Sequence, residues 1–169
     1  ASEEMQDMAS QMEASMQSAQ SQQAQENMED LRALLENIIQ LSFDQEGVME
    51  ELKPLERDDP AYVESGRKQR KIKDDSQMVE DSLFALSKRV PQIESIVNEE
   101  ISAINQNISK ALEDIGERRT ANATSRQQYV MTSYNNLALL LDEALQQMQQ
   151  AMANQMPGTG NCENPGGQG

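Results

Sequence analysis

Five cationic side chains fall within one short stretch: Arg67, Lys68, Arg70, Lys71 and Lys73. They make up over a third of the chain's 14 basic residues. Such a cluster could dock an acidic partner or a phosphate-bearing surface. On a helix, however, these positions spread around most of the circumference instead of forming one stripe. The plainer reading is a solvated segment paired with Asp74, Asp75 and their acidic neighbours, since exposed ion pairs contribute little. The second candidate is a methionine stripe. Met5, Met8, Met12 and Met16 recur at intervals of three and four, which puts them on one helical face. Flexible, polarizable Met suits adaptable binding surfaces; the alternative is that it fills a core.

Catalytic and metal chemistry have little to work with. The chain has no histidine, which removes the commonest general base and transition-metal ligand, and with them any Ser-His-Asp set. Composition leaves a Ser-Lys pair open, but no local motif supports one. The pairs Asp58-Asp59, Asp74-Asp75 and Glu99-Glu100 lack the alternating acids and central Gly of a calcium loop. Di-iron bundle sites need Glu-x-x-His. No Gly-rich phosphate loop occurs. Cys162 is the only cysteine, so neither an intrachain disulfide nor a thiolate cluster can form. The expectation is a non-enzyme without cofactor or metal.

Charge narrows the partners. With 29 acidic residues against 14 basic the net charge is −15, which repels nucleic-acid phosphate and anionic head groups. Nucleic acid is therefore not an expected partner, whereas another protein or a second copy is. The longest apolar run, Leu137 to Leu141, is far short of the roughly 20 residues of a membrane span. The sequence starts at Ala1-Ser2 without an initiator Met, as expected of a processed end or a piece of something larger.

The elements that must position these residues read as helices. Only 37% of the chain is apolar, with two Phe and three Tyr, which suits long helices with one apolar stripe each. The Met- and Gln-rich stretch 1–25 predicts a helical arm. Periodicity resumes at Met28, Leu31, Leu35 and Ile38, with Leu34 and Leu41 widening the stripe. Gly47 predicts an interruption, followed by a short continuation to Pro54 and the Asp58-Asp59-Pro60 turn. Asp59 reads as an N-cap with Pro60 in the first helical position. The next helix, marked by Tyr62, Val63, Ile72, Val79, Leu83 and Leu86, runs to about Arg89. Pro91 either starts a new helix or kinks a continuous one. From Ile93 through Ile101, Ile104 and Ile108 to Ile115 the i, i+3, i+4 rhythm is sustained. A break is expected over Gly116 to Thr124. Val130, Tyr134, Leu137, Leu141, Ala144, Met148 and Ala151 then form a heptad seam.

The predicted fold is all-α: an elongated, coiled-coil-like antiparallel bundle of three to four helices, each about 30 residues or roughly 45 Å long. Residues 26–156 form the bundle, and 157–169 a Gly/Pro-rich flexible tail. The expected core centres on Ile101, Ile104, Ile108, Leu137, Leu141 and Leu145. Helix content should be roughly 70 to 80%, well above the usual third.

Three stretches resemble segments of large bacterial proteins in the uncharacterised family DUF-4175. They are Met28 to Glu46 (MEDLRALLENIIQLSFDQE), Glu80 to Ile93 (EDSLFALSKRVPQI) and Ser125 to Leu145 (SRQQYVMTSYNNLALLLDEAL). The closing MPGTGNC, Met156 to Cys162, is similar as well. The resemblance implies a segment of a long protein with transmembrane helices near its N-terminus, and no assigned activity. It places the chain in the bacterial envelope, on the periplasmic side of a membrane-anchored protein. The function expected is a non-catalytic helical scaffold or interaction segment. The alternatives are a helical ligand-binding module, lined by the stripes of 93–115 and 130–152, or a regulatory domain of an enzyme elsewhere in a longer chain.

Overall fold

A computed structural model describes residues 2–155. The expected tail at 157–169, with Cys162, lies outside them. Helix accounts for 92% of the described residues, without strands. Four helices follow one another: α1 (Ser2–Leu52), α2 (Tyr62–Arg89), α3 (Glu94–Gly116) and α4 (Thr120–Gln155). Each packs against two neighbours, α1 on α2 and α4, and α3 on α2 and α4, with no diagonal backbone approach. This is an up-down-up-down four-helix bundle.

Each helix stops for a local reason. Pro54 has no N–H, so the hydrogen-bond ladder of α1 ends with Lys53 donating to the Met49 carbonyl at 3.0 Å. In the following turn the Asp59 carboxylate accepts the Ala61 N–H at 2.8 Å. Asp59 therefore braces the turn and is not the N-cap: that position falls to Ala61, without a side-chain cap, and Pro60 stays in the turn ahead of α2, which begins at Tyr62. Val90 precedes a proline and leaves the helical region, at φ −126° and ψ 83°. A 3₁₀ turn over Pro91–Ile93 leads into α3, so Pro91 starts a new helix. The α3–α4 turn is a Schellman motif. Arg119 N–H donates to the Asp114 carbonyl at 2.8 Å and Arg118 N–H to Ile115 at 3.0 Å. Arg118 takes the left-handed position, φ 55°, where Gly is usual. Its guanidinium donates to the carbonyls of Arg57 and Asp59 at 2.9 and 3.2 Å and lies 5.2 Å over the Tyr62 ring. Those contacts across to the α1–α2 turn hold the conformation in place.

Three further sequence expectations are corrected. Gly47 does not interrupt α1, which runs unbroken for 51 residues, about 76 Å. A helical Gly costs about 1 kcal/mol, less than the burial of Leu41, Val48, Met49 and Leu52 around it restores. The break expected over Gly116 to Thr124 shrinks to residues 117–119, and the polar run Thr120 to Thr124 forms the first turn of α4. Tyr62 is buried, but Val63 is 62% exposed, so only one of the two marks α2's inner face.

The core consists of one large cluster and one small one. Ile101, Ile104, Ile108, Leu137, Leu141 and Leu145 share one buried cluster with Leu31, Ile38, Leu83 and Ile93, as the two strongest stripes predicted. A smaller cluster of Leu52, Tyr62, Ile115 and Ala123 closes the end near the α1–α2 and α3–α4 turns. The heptad seam of α4 is buried from Val130 to Leu145, whereas Ala151 is exposed.

Candidate interaction surfaces and the polar core

Residues 2–23 of α1 are exposed without exception, because α1 outruns the helices it packs against. Met5, Met8, Met12 and Met16 stand between 61% and 69% exposed. The first buried residues are Asn27 and Met28. Of the two readings of the Met stripe, core filling does not hold within this chain's described residues. Counting back from Leu52 at 3.6 residues per turn, Met16, Met12 and Met5 lie within about 40° of its direction, and Met8 within about 80°. The stripe therefore prolongs the core-facing side of α1 beyond the bundle. Glu3, Glu4, Asp7 and Glu13 sit on its flanks and back, roughly 85° or more from the stripe's centre.

The basic cluster does not converge. Lys68 reaches Glu51 at 2.6 Å, Lys71 reaches Asp75 at 2.6 Å, and Arg67 lies 3.4 Å from Glu64. These partners raise the pKa of both lysines, chiefly through the hydrogen bonds to Glu51 and Asp75. Arg70 and Lys73 are exposed on the same helix. Arg70 lines an open groove of about 410 Å³ with Tyr62, Val63, Leu112, Ile115 and Arg118. A separate groove of about 360 Å³ between α1 and α2 mixes Lys68 and Lys71 with Asp44, Glu51 and Asp75. The paired, solvated reading accounts for three of the five cations, Arg67, Lys68 and Lys71.

Two polar layers cross the bundle interior, and both join the diagonal helices α2 and α4. In the first, Gln45 and Gln69 exchange amide hydrogen bonds at 2.9 and 2.8 Å, and Gln127 Nε2 donates to Gln69 Oε1 at 3.0 Å. All three are fully buried, and Gln127 Oε1 has no partner. In the second, Tyr134 O–H donates to Ser76 Oγ at 2.8 Å, Ser76 Oγ to Glu80 Oε1 at 3.5 Å, and Asn105 Nδ2 to Glu80 Oε2 at 3.2 Å. Burial holds the Glu80 carboxyl and the Tyr134 phenol above their usual pKa, despite the Asn105 and Ser76 hydrogen bonds to Glu80 and the Ser76 bond to Tyr134. Burial also raises Glu100, reinforced by its neighbour Glu99.

The signal for these layers lies in the sequence, at polar positions inside the apolar stripes. Gln45 falls between Leu41 and Val48 on the α1 stripe, and Gln127 precedes Val130 by three on α4. Extending each apolar stripe through its polar gaps finds both. Glu80 yields a prediction. A carboxyl whose folded pKa is raised destabilises the fold when charged, so its contribution improves as pH falls from neutral towards its ordinary 4.5. Glu80→Gln should therefore stabilise the bundle at pH 7. The difference should vanish near pH 4.5, as read from urea unfolding of both proteins across that range. An increment that grows as pH falls would contradict the assignment.

Among the described residues, no three His, Cys, Asp or Glu side chains gather to hold a metal ion. No described helix is long and apolar enough to cross a membrane. The fold and these surfaces define an all-α bundle with a projecting helical arm. No family model matches the chain, and no curated protein or solved structure matches it either.

Proposed function

We propose that this chain is a non-catalytic helical scaffold or protein-interaction segment whose N-terminal arm meets another chain. The observation that carries the reading is the exposed stripe Met5, Met8, Met12 and Met16, on a helix rooted in a well-packed bundle. A lone polar helix is marginal in water; here the bundle end of α1 supplies the nucleus and the arm projects from it. The buried polar layers fix the order and register of the four helices, which suits a spacer that must hold its arm in a defined direction. The resemblance to DUF-4175 supports a place in a larger, envelope-associated bacterial protein.

Deleting residues 1–25 tests this reading. The remaining bundle should melt within about 3 °C of the full chain, a change under about 1 kcal/mol. Association through the arm should disappear. If the truncated bundle unfolds, the arm belongs to the body and the proposal fails.

A further inference from the structure

We infer that the partner of the arm is the arm of a second copy, packed antiparallel with Met5 of one beside Met16 of the other and Met8 beside Met12. The inference rests on the reading of the arm as an interaction element and names its occupant. Its basis is the spacing of the stripe. Reflected about a point between Ser10 and Gln11, the positions 5, 8, 12 and 16 return nearly to themselves. An isologous two-fold contact requires such a self-complementary pattern; in an antiparallel pair each Met faces a Met of the other chain. A parallel pair would also align Met with Met, but it would stack the acidic halves of the two arms.

Charge distribution favours the antiparallel sense. Glu3, Glu4 and Asp7 lie on the N-terminal side of the contact's centre, Glu13 lies just beyond it beside Met8 of the other copy, and residues 14–25 carry no charge. Antiparallel packing sets the acidic end of one arm beside the Ser- and Gln-rich end of the other, whereas parallel packing brings like charges together. Ala9 and Ala19 fall near the same face and allow close approach. The lengths agree as well. In this register Ser2 of one copy lies beside Ala19 of the other, short of Ala24, where the bundle starts to cover α1. The two bundles then stand at opposite ends of a rod without colliding.

The contact is small. An arm about 33 Å long and roughly 10 Å across buries a strip at the low end of specific interfaces, so affinity in the micromolar range is expected. Each copy carries a net charge of −15, so added salt should tighten the pair by screening repulsion.

The test uses the full chain with Cys162→Ser as background. Sedimentation velocity across a micromolar concentration series should show a monomer–dimer equilibrium that strengthens between about 0.05 and about 0.5 M salt. Met12→Glu, at a position already exposed, should weaken it about tenfold or more. Mixed under mild oxidation, the Met5→Cys and Met16→Cys proteins should cross-link to each other in preference to themselves. Preferential linkage of Met5→Cys to itself would mean parallel arms and overturn the register. A chain that stays monomeric throughout, with its methionines open to peroxide, overturns the second copy as occupant but leaves the arm an interaction element. A monomer whose arm methionines resist oxidation would show the stripe covered by residues 156–169, and that overturns it too. Salt that weakens the dimer would point to ion pairing and likewise exclude this contact. Unfolding on deletion of 1–25, by contrast, removes the underlying reading itself.

Discussion

Leu141→Ala should destabilise the bundle by about 2 to 5 kcal/mol. The side chain is fully buried and belongs to the main core with Leu34, Leu83, Val97 and Leu137, so truncation leaves a cavity that four packed helices cannot readily close. Leu139, two positions away on the same helix, is 69% exposed. Leu139→Ala should stay within about 0.5 kcal/mol of the parent. Urea unfolding followed by circular dichroism compares the two directly. A loss below about 0.5 kcal/mol for Leu141→Ala, or equal losses for both, would mean that the seam does not face this core.

That pair of residues also marks what the sequence made legible. Leu137 and Leu141 stand out because spacings of three and four extend over several turns, whereas Leu139 lies in the same apolar run but off the stripe. Periodicity distinguishes them; hydrophobicity does not. The same logic located the core of α3 from Ile101 to Ile108 and the arm as a separate stretch. It failed at Gly47, where local propensity was weighed without the packing on either side. It failed also at Val63, where one β-branched residue in a charged segment was counted as a mark.

The layers around Gln45, Gln69 and Glu80 were missed for a different reason. A polar residue inside a stripe looks like a gap until its partners on other helices are known, and Gln69 and Gln127 are 58 residues apart. The arm's exposure was legible only in part. Its composition suggested weak packing, but that α1 outruns the helices beside it depends on the break at Pro54 and the length of α4.

Gln69→Leu should cost about 2 to 4 kcal/mol, although it makes the core more apolar. Gln69 is the hub of its layer, exchanging two hydrogen bonds with Gln45 and accepting a third from Gln127. Replacing it leaves both polar ends of Gln45 and the Gln127 amide buried without partners, beside a Gln127 Oε1 that already lacks one. Each such group costs about 1 to 3 kcal/mol, offset in part by the apolar surface gained. Replacing all three glutamines by Leu removes every polar atom of the layer at nearly constant volume. The triple variant should therefore be at least as stable as the parent, because an apolar layer is no worse than a partly satisfied polar one. The order of stability expected from guanidinium unfolding is triple variant, then parent, then Gln69→Leu. The two variants should also differ in specificity, since an all-apolar layer no longer prefers one register of α2 against α4. Amide exchange and line widths in the triple variant should show that looseness despite its higher melting point. If the three single replacements add up to the triple, the glutamines act independently, and the account of a coupled layer that sets register is wrong.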